Sequence, residues 1–338
     1  MSLGYIGSKK SLLSFIEECL SNHIDLSENL IFSDLFAGTG IVGKYFFNKY
    51  NHTIISNDLE YYSYVLNYAN LKVSYTNKLQ IIIDKINLRE YDQIDTKSLI
   101  KTTYTPFEEC ERMYFTIENG EFIDYCMSTI IKLKENNEIT YGEEIFLKAS
   151  LLIRLDKVAN TASVYGAYLK KFKKVALKNI ILTPVHTTEM VDNKNTIHND
   201  DILNLTTKTD ILYLDPPYNN RQYGNNYSQL NYILKYTDTI EIKGKTGLIK
   251  DWNRSSFCSK KTITESLKTT LTNIETDILA FSYNNEGLLT KEELTDIFKL
   301  TFNEINCYEK EYKKFKSNKN VMKKTVIEYL FVCVKNKK

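Results

Sequence analysis

The residues best suited to chemistry lie together at Asp215-Pro216-Pro217-Tyr218, directly after the apolar run Ile211-Leu212-Tyr213-Leu214. Asp215 offers a carboxylate. Pro216 offers a main-chain carbonyl with little freedom of direction, because residues at and before a proline are conformationally restricted. Two such acceptors suit one difficult substrate, the exocyclic amine of a nucleobase, whose lone pair is delocalised into the ring. Hydrogen bonds accepted from that NH2 would localise the lone pair and make the nitrogen a better nucleophile. Tyr218 adds a flat face on which a base taken out of a duplex could stack. A plainer reading of Asp-Pro-Pro-Tyr is a proline loop that ends a strand, and so short a motif does not decide alone.

These residues need a scaffold. Ile211 to Leu214 reads as a buried strand of a parallel sheet, and open α/β sheets place ligands at the carboxyl ends of such strands. Leu30 to Phe36 reads as another strand, with Ala37-Gly38-Thr39-Gly40 a tight turn into a helix beginning near Ile41. Thr53 to Asp58 is a strand ending in an acid, followed by a helix from about Glu60 to Leu71. This order begins a doubly wound nucleotide-binding sheet. Further strands are expected at Thr196–Asn199, Ile278–Tyr283 and Val326–Val334.

Gly38-Thr39-Gly40 lacks the third glycine of the dinucleotide fingerprint, which favours another adenosine-containing cofactor over a nicotinamide. Asp58 can accept from both ribose hydroxyls; it can also cap the helix that follows. Tyr5-Ile6-Gly7-Ser8-Lys9 supplies a lysine and amides able to hold a carboxylate, although by itself it is an ordinary helix start. Asn199-Asp200-Asp201 closes the next strand, and Asp201, followed by an apolar residue, is the acid expected to accept from an adenine amine.

Gly38 and Asp215 are far apart in the chain, and strand–helix units with loops of about 2–6 residues would use only part of that distance. An insertion is therefore expected, with a mostly helical domain at 76–189 interrupting a core of 1–75 plus 190–338. It contains helical patterns at Ile123–Leu133 and Gly142–Val158, then Asn160 and the basic run Lys170-Lys171-Phe172-Lys173-Lys174. Interleaved with Tyr168 and Phe172, those lysines suit phosphates and bases, and DNA contact is favoured over a merely solvated face. Lys310 to Lys324 reads as an exposed hairpin, equally compatible with a solvated loop or phosphate contact.

Composition sets outer limits. The 338 residues carry a formal net charge of +2, which argues against a histone-like polycation but not against a locally basic enzyme. The six cysteines are scattered without C-x-x-C or metal-ligand spacing, so reduced thiols and no metal are expected. No signal pattern and no long apolar stretch are seen, and a soluble cytoplasmic protein is expected. The 25 tyrosines suit stacking on bases, but the Lys-, Asn-, Ile- and Tyr-rich bias is better explained by an AT-rich genome.

Taken in order, Tyr-x-Gly-x-Lys, Asp-Leu-Phe-Ala-Gly-Thr-Gly, Asn-Asp, a long insertion and Asp-Pro-Pro-Tyr resemble the D12 class (α arrangement) of adenine-N6 DNA methyltransferases. Ala159-Asn160-Thr161-Ala162, Asn219-Asn220-Arg221-Gln222-Tyr223 and Phe281-Ser282-Tyr283-Asn284-Asn285-Glu286-Gly287 resemble its FokI-like restriction-modification branch. The resemblance implies a class I, Rossmann-like S-adenosylmethionine-dependent fold with an inserted target-recognition domain. It implies methyl transfer from S-adenosyl-L-methionine to N6 of an adenine flipped from double-stranded DNA, in company with a cognate restriction endonuclease. Carried over, Tyr5, Gly7, Lys9, Asp34, Phe36, Gly38, Gly40, Asp58, Asp201 and Asp215 would hold the cofactor. Asp215, Pro216, Pro217 and Tyr218 would surround the adenine, with Arg221, Asn160 and Lys170, Lys171, Lys173 and Lys174 on the DNA.

Other classes fit less well. Cytosine-C5 transfer needs a cysteine nucleophile, typically after proline, and none of Pro106, Pro184, Pro216 or Pro217 precedes Cys. Cytosine-N4 enzymes usually have Ser in place of Asp215, and glutamine or ribosomal-RNA methylases usually have Asn there. Glu241-Ile242-Lys243 after Asp238 is a trace of a nuclease motif inside the methylase pattern and reads as coincidence. A non-catalytic DNA-binding specificity subunit and an RNA adenine-N6 methyltransferase are the rival readings.

Overall fold

The computed structural model describes residues 3–4, 7–92, 94–189, 191, 194–313 and 325–335, which form two compact units. One comprises 9–59, 194–222 and 254–338; the other comprises 1–8, 60–193 and 223–253.

The first unit is built on a seven-stranded sheet. In chain order its elements are α1 (Leu13–Ser21), β1 (Ile31–Asp34), α2 (Ile41–Tyr50), β2 (Thr53–Asn57), β3 (Thr196–His198), β4 (Thr207–Leu214), α9 (Ile263–Asn273), β7 (Ile274–Asn284), α10 (Lys291–Phe298), β8 (Glu304–Lys313) and β9 (Thr325–Val334). The strands lie in the order β3-β2-β1-β4-β7-β9-β8. β3 to β7 are parallel, and β9 runs antiparallel between β7 and β8. This is the class I methyltransferase sheet that the resemblance implied.

The central strands read as continuous apolar runs because both faces are covered. Leu212, Leu214, Leu279 and Phe281 pack with Leu267 and Leu271 of α9 and with Leu294 and Phe298 of α10. Phe32 stacks on Phe46 of α2, ring centroids 4.4 Å apart, and both are fully buried. Truncating so large a buried ring costs about 3–5 kcal/mol. Helix α10 starts at a capping box in which Thr290 and Glu293 satisfy each other's backbone N–H.

β8 was not anticipated. The sequence predicts an exposed hairpin at Lys310–Lys324, but Lys310 to Lys313 complete this edge strand, paired with Glu328 to Thr325. The remainder of that stretch lies outside the described residues. Charged residues along an edge strand discourage further pairing and also mask its strand pattern.

The second unit holds α3 (Tyr61–Lys72), α4 (Asn77–Leu88), α5 (Leu99–Tyr104), α6 (Ile117–Glu135), α7 (Tyr141–Val158), α8 (Tyr223–Lys235) and the two-stranded ribbon β5 (Ile242–Lys243) and β6 (Leu248–Ile249). α6 and α7 are buried on most of their surface, so their apolar residues do not follow a narrow stripe. Thr140 and Glu143 form a capping box at the start of α7. This unit is larger than the expected insertion at 76–189. It also takes in α3 and α8, joined where Asn231 Oδ1 accepts from Tyr62 N at 2.9 Å and Asn231 Nδ2 donates to Glu60 Oε2 at 2.5 Å. No helix among the described residues is long and apolar enough to cross a membrane.

Candidate active site

The carboxyl ends of β1, β2, β4 and β7 gather the residues singled out in the first unit. After β1 the chain turns through Gly38 and Gly40 at φ of 52° and 71°, left-handed values that penalise any side chain. Gly40 occupies the N-cap of α2 and has no side chain with which to cap it. Asp34 does so from the strand: its Oδ2 accepts from Gly43 N at 3.1 Å. Asp34 is 1% exposed, and no hydrogen bond among the described residues reaches Oδ1. Burial, against the Gly43 hydrogen bond and with Asp215 and Asp58 nearby, pushes its carboxyl up to about 7. Asp34 therefore shapes the turn from beneath.

Asp58, at the end of β2, accepts from Gly38 N at 2.7 Å, which ties the glycine turn to the acid. Asn57 beside it donates to the carbonyls of Leu35 and Asp200 and accepts from Asp200 N, joining the ends of three strands. Phe36 lies edge-to-face on Phe257 at 4.9 Å. Asp201 caps a short 3-10 turn, Ile202–Asn204, through Leu203 N.

Asp215 lies immediately beyond β4. Pro216 and Pro217 follow with trans peptide bonds and lack N–H groups, so this stretch of backbone presents only acceptors. The Lys9 ammonium reaches Asp215 Oδ1 at 3.1 Å and Glu328 Oε2 at 3.8 Å. Burial pushes Asp215 up to about 6 despite the opposing Lys9 charge; Glu328 pushes the same way, and Ser282 opposes it. Burial alone would lower Lys9, but Asp215 and Glu328 outweigh it and raise its proton affinity.

Tyr218 is half-buried, its ring edge-on to Tyr283 at 6.3 Å and 5.9 Å from the Lys9 ammonium. Its carbonyl accepts from Leu288 N at 2.9 Å. The loop behind it turns at Gly287, where any Cβ would overlap the Tyr283 ring. Arg221 is exposed, and the loop carrying it is fastened by a reciprocal pair between Gln222 and Ser255.

Glu328, Ser282 and Tyr283 were not assigned roles from sequence. Ser282, Tyr283 and Gly287 stood in the motif that carried the family resemblance, whereas Glu328 had no local signal.

Residues 5–297 match the family model of the D12 class N6 adenine-specific DNA methyltransferases. The chain belongs to this family. It is 40% identical over 334 residues to type II methyltransferase M.CviAII of Paramecium bursaria Chlorella virus 1, covering 97% of each chain. It is 39% identical to type II methyltransferase M.NlaIII of Neisseria lactamica, covering 98% of this chain and 99% of that one. It is 35% identical to type II methyltransferase M.FokI of Planomicrobium okeanokoites, covering 98% of this chain and 52% of that one.

In the helical unit of this methyltransferase, the predicted DNA residues divide. Lys170, Lys171 and Lys174 are exposed. Lys173 instead ties its ammonium to Thr161 O at 3.0 Å. Asn160 is a correction: it is fully buried, its amide donates to Met113 O and Leu169 O, and its carbonyl accepts from Lys173 N. With its hydrogen bonds made internally, Asn160 frames the loop and has no free edge for a base.

Tyr5 lies outside the described residues. Gly7, at φ +84°, is left-handed, and a Cβ there would meet Tyr223 Oη at 3.2 Å. Asp156, unremarked in the sequence, accepts from Gly4 N at 2.8 Å and from Tyr165 Oη at 3.0 Å. The Glu241-Ile242-Lys243 trace lies at the exposed ribbon, where Glu241 pairs with Lys250 at 2.7 Å.

Proposed function

We propose that this N6-adenine DNA methyltransferase acts on an adenine flipped out of double-stranded DNA at one short site, as the modification half of a restriction-modification system. The observation that carries the reading is Asp215 with the acceptor-only backbone of Pro216 and Pro217, beside the half-buried ring of Tyr218. The Asp215 carboxylate and Pro216 carbonyl accept from the N6 amine and hold its lone pair toward the methyl donor. Positioning of the reactants supplies much of the acceleration. Asp215 need not be a strong base, because the amine nitrogen acidifies sharply as it is alkylated. Tyr218 stacks on the extruded base and offsets part of the few kcal/mol of unstacking and unpairing.

The residues fit S-adenosyl-L-methionine. The left-handed glycine turn lets backbone approach a ligand closely, and Asp58 at the next strand end suits ribose hydroxyls. When bound, the cofactor supplies an electrophilic methyl group on a sulfonium. Tyr5, Gly7 and Lys9 serve its amino-acid end, Phe36, Gly38 and Gly40 line its bed with Asp34 supporting the turn, and Asp201 serves its adenine. Arg221, Lys170, Lys171 and Lys174 contact DNA, the helical unit reads the site, a cognate endonuclease cuts the same site, and the setting is the cytoplasm.

The test is incubation with genomic DNA and S-adenosyl-L-methionine, followed by single-molecule sequencing. N6-methyladenine confined to one short sequence is expected; unmodified DNA together with labelled structured RNA would replace this reading by the RNA one.

A further inference from the structure

Glu328 plays no part in the reading above, yet it occupies a distinctive place. It lies near the start of β9, opposite Asn284 at the end of β7. Because β9 runs against its neighbours, its early residues arrive at the end of the sheet where the parallel strands finish. Glu328 is 9% exposed there, and no hydrogen bond among the described residues reaches its Oε2. One lysine thus stands between two carboxylates, 3.1 Å from Asp215 and 3.8 Å from Glu328.

That arrangement poses a problem for the reaction. The N6 amine needs Asp215 as an acceptor, but the Lys9 ammonium already engages Asp215 Oδ1. Drawing a buried ammonium away from a lone counterion would be costly. A second carboxylate within reach removes most of that penalty.

We propose that Glu328 is a positioning residue for methyl transfer, taking over the Lys9 ammonium when the adenine amine engages Asp215. This rests on Asp215 being the acceptor of the N6 amine. The groups acting on Asp215 are Lys9 from the amino-terminal turn, Glu328 from β9, Asp34 from β1, Ser282 from β7 and Tyr213 from β4. Tyr218 lies within reach of the same lysine. Among them Lys9 is the one cation, so the position of its charge governs how freely Asp215 can accept.

The experiment compares wild type, Glu328→Gln and Glu328→Asp by single-turnover rate against pH and by equilibrium binding of S-adenosyl-L-methionine. Glu328→Gln leaves Lys9 wholly on Asp215, so the acidic limb should move down by about half to one pH unit. The single-turnover rate should fall at least about tenfold while cofactor affinity stays within about twofold. Glu328→Asp should keep the wild-type limb and recover part of the rate. A Gln variant with wild-type limb and rate overturns the proposal. If Gln does not fold, as read by circular dichroism, a wild-type rate in Glu328→Asp overturns it, since a shorter carboxylate withdraws from Lys9. Asp215→Asn is the control. Full activity there defeats the assignment of Asp215 itself, whereas an inactive Asp215→Asn with an indifferent Glu328→Gln defeats only the role of Glu328.

Discussion

Gly287 is packed so closely beneath Tyr283 that a methyl group in place of its hydrogen would overlap the ring. Tyr283 in turn stands edge-on to Tyr218 and accepts from Leu289 N at 3.2 Å. Gly287→Ala must therefore displace Tyr283, the neighbour of the proposed stacking ring. The expected outcome is destabilisation of about 1–3 kcal/mol, as for other overpacked sites, with a larger fractional loss of transfer rate than of folded protein. Thermal melts and single-turnover kinetics on the same preparation check it.

Asp215→Ala should abolish transfer while S-adenosyl-L-methionine still binds at least partly. Tyr218→Phe should remain active, whereas Tyr218→Ala should lose about 1–3 kcal/mol of base stacking, since the ring and not the hydroxyl does the work. Labelled-methyl transfer and calorimetric cofactor titration test both; an active Asp215→Ala would refute the assignment.

Burial of Asp34 should give the protein a pH-dependent stability. Its folded value, up to about 7, lies above the ordinary aspartate value of 3.8. The folded state therefore keeps a proton that the unfolded chain releases. The resulting stability is fully present below the unfolded value and is lost as pH rises toward 7. The wild type should melt higher near pH 5 than near pH 8, and Asp34→Asn should flatten that difference by an amount on the order of a few kcal/mol. Asp215, pushed up to about 6, contributes in the same direction. Melts across pH for both proteins decide; parallel curves would remove Asp34 as the cause.

Asn160 and the neighbouring lysines should separate cleanly. Asn160→Ala strands several buried backbone groups and should destabilise the fold by about 1–3 kcal/mol or more. Replacing Lys170, Lys171 and Lys174 with Ala should leave the melting temperature alone. If each contacts a phosphate, the triple variant should reduce the slope of log affinity against log salt by roughly 2–3. An unchanged slope would place the DNA elsewhere.

The parts of the site that were legible in the sequence are those coded locally. Asp215 to Tyr218 follow a continuous apolar strand, and Gly38 to Gly40 follow another, so a motif and its structural context sit side by side. Roles that depend on register were not legible. Glu328 reaches Lys9 only because β9 enters the sheet antiparallel, and Asp34 caps α2 only because Gly40 cannot. Asn160 was misread for the converse reason, since a polar residue beside a basic run looks exposed until its partners Met113 and Leu169 are known. The division into units was hidden similarly, because α8 is distant in sequence from α3 yet bonded to it through Asn231.

The place of β9 also shapes how the chain comes to be folded. It fills an interior slot between β7 and β8, although β7 is made well before it. Roughly 40 residues intervene, which at about 5–20 residues per second leaves β7 waiting several seconds on the ribosome. Until β9 pairs with it, a β7 strand carrying Leu279 and Phe281 would present an open hydrogen-bonding edge, the kind of edge that recruits foreign strands. Slower elongation over α10 and β8 is accordingly expected to lower the soluble yield of the enzyme.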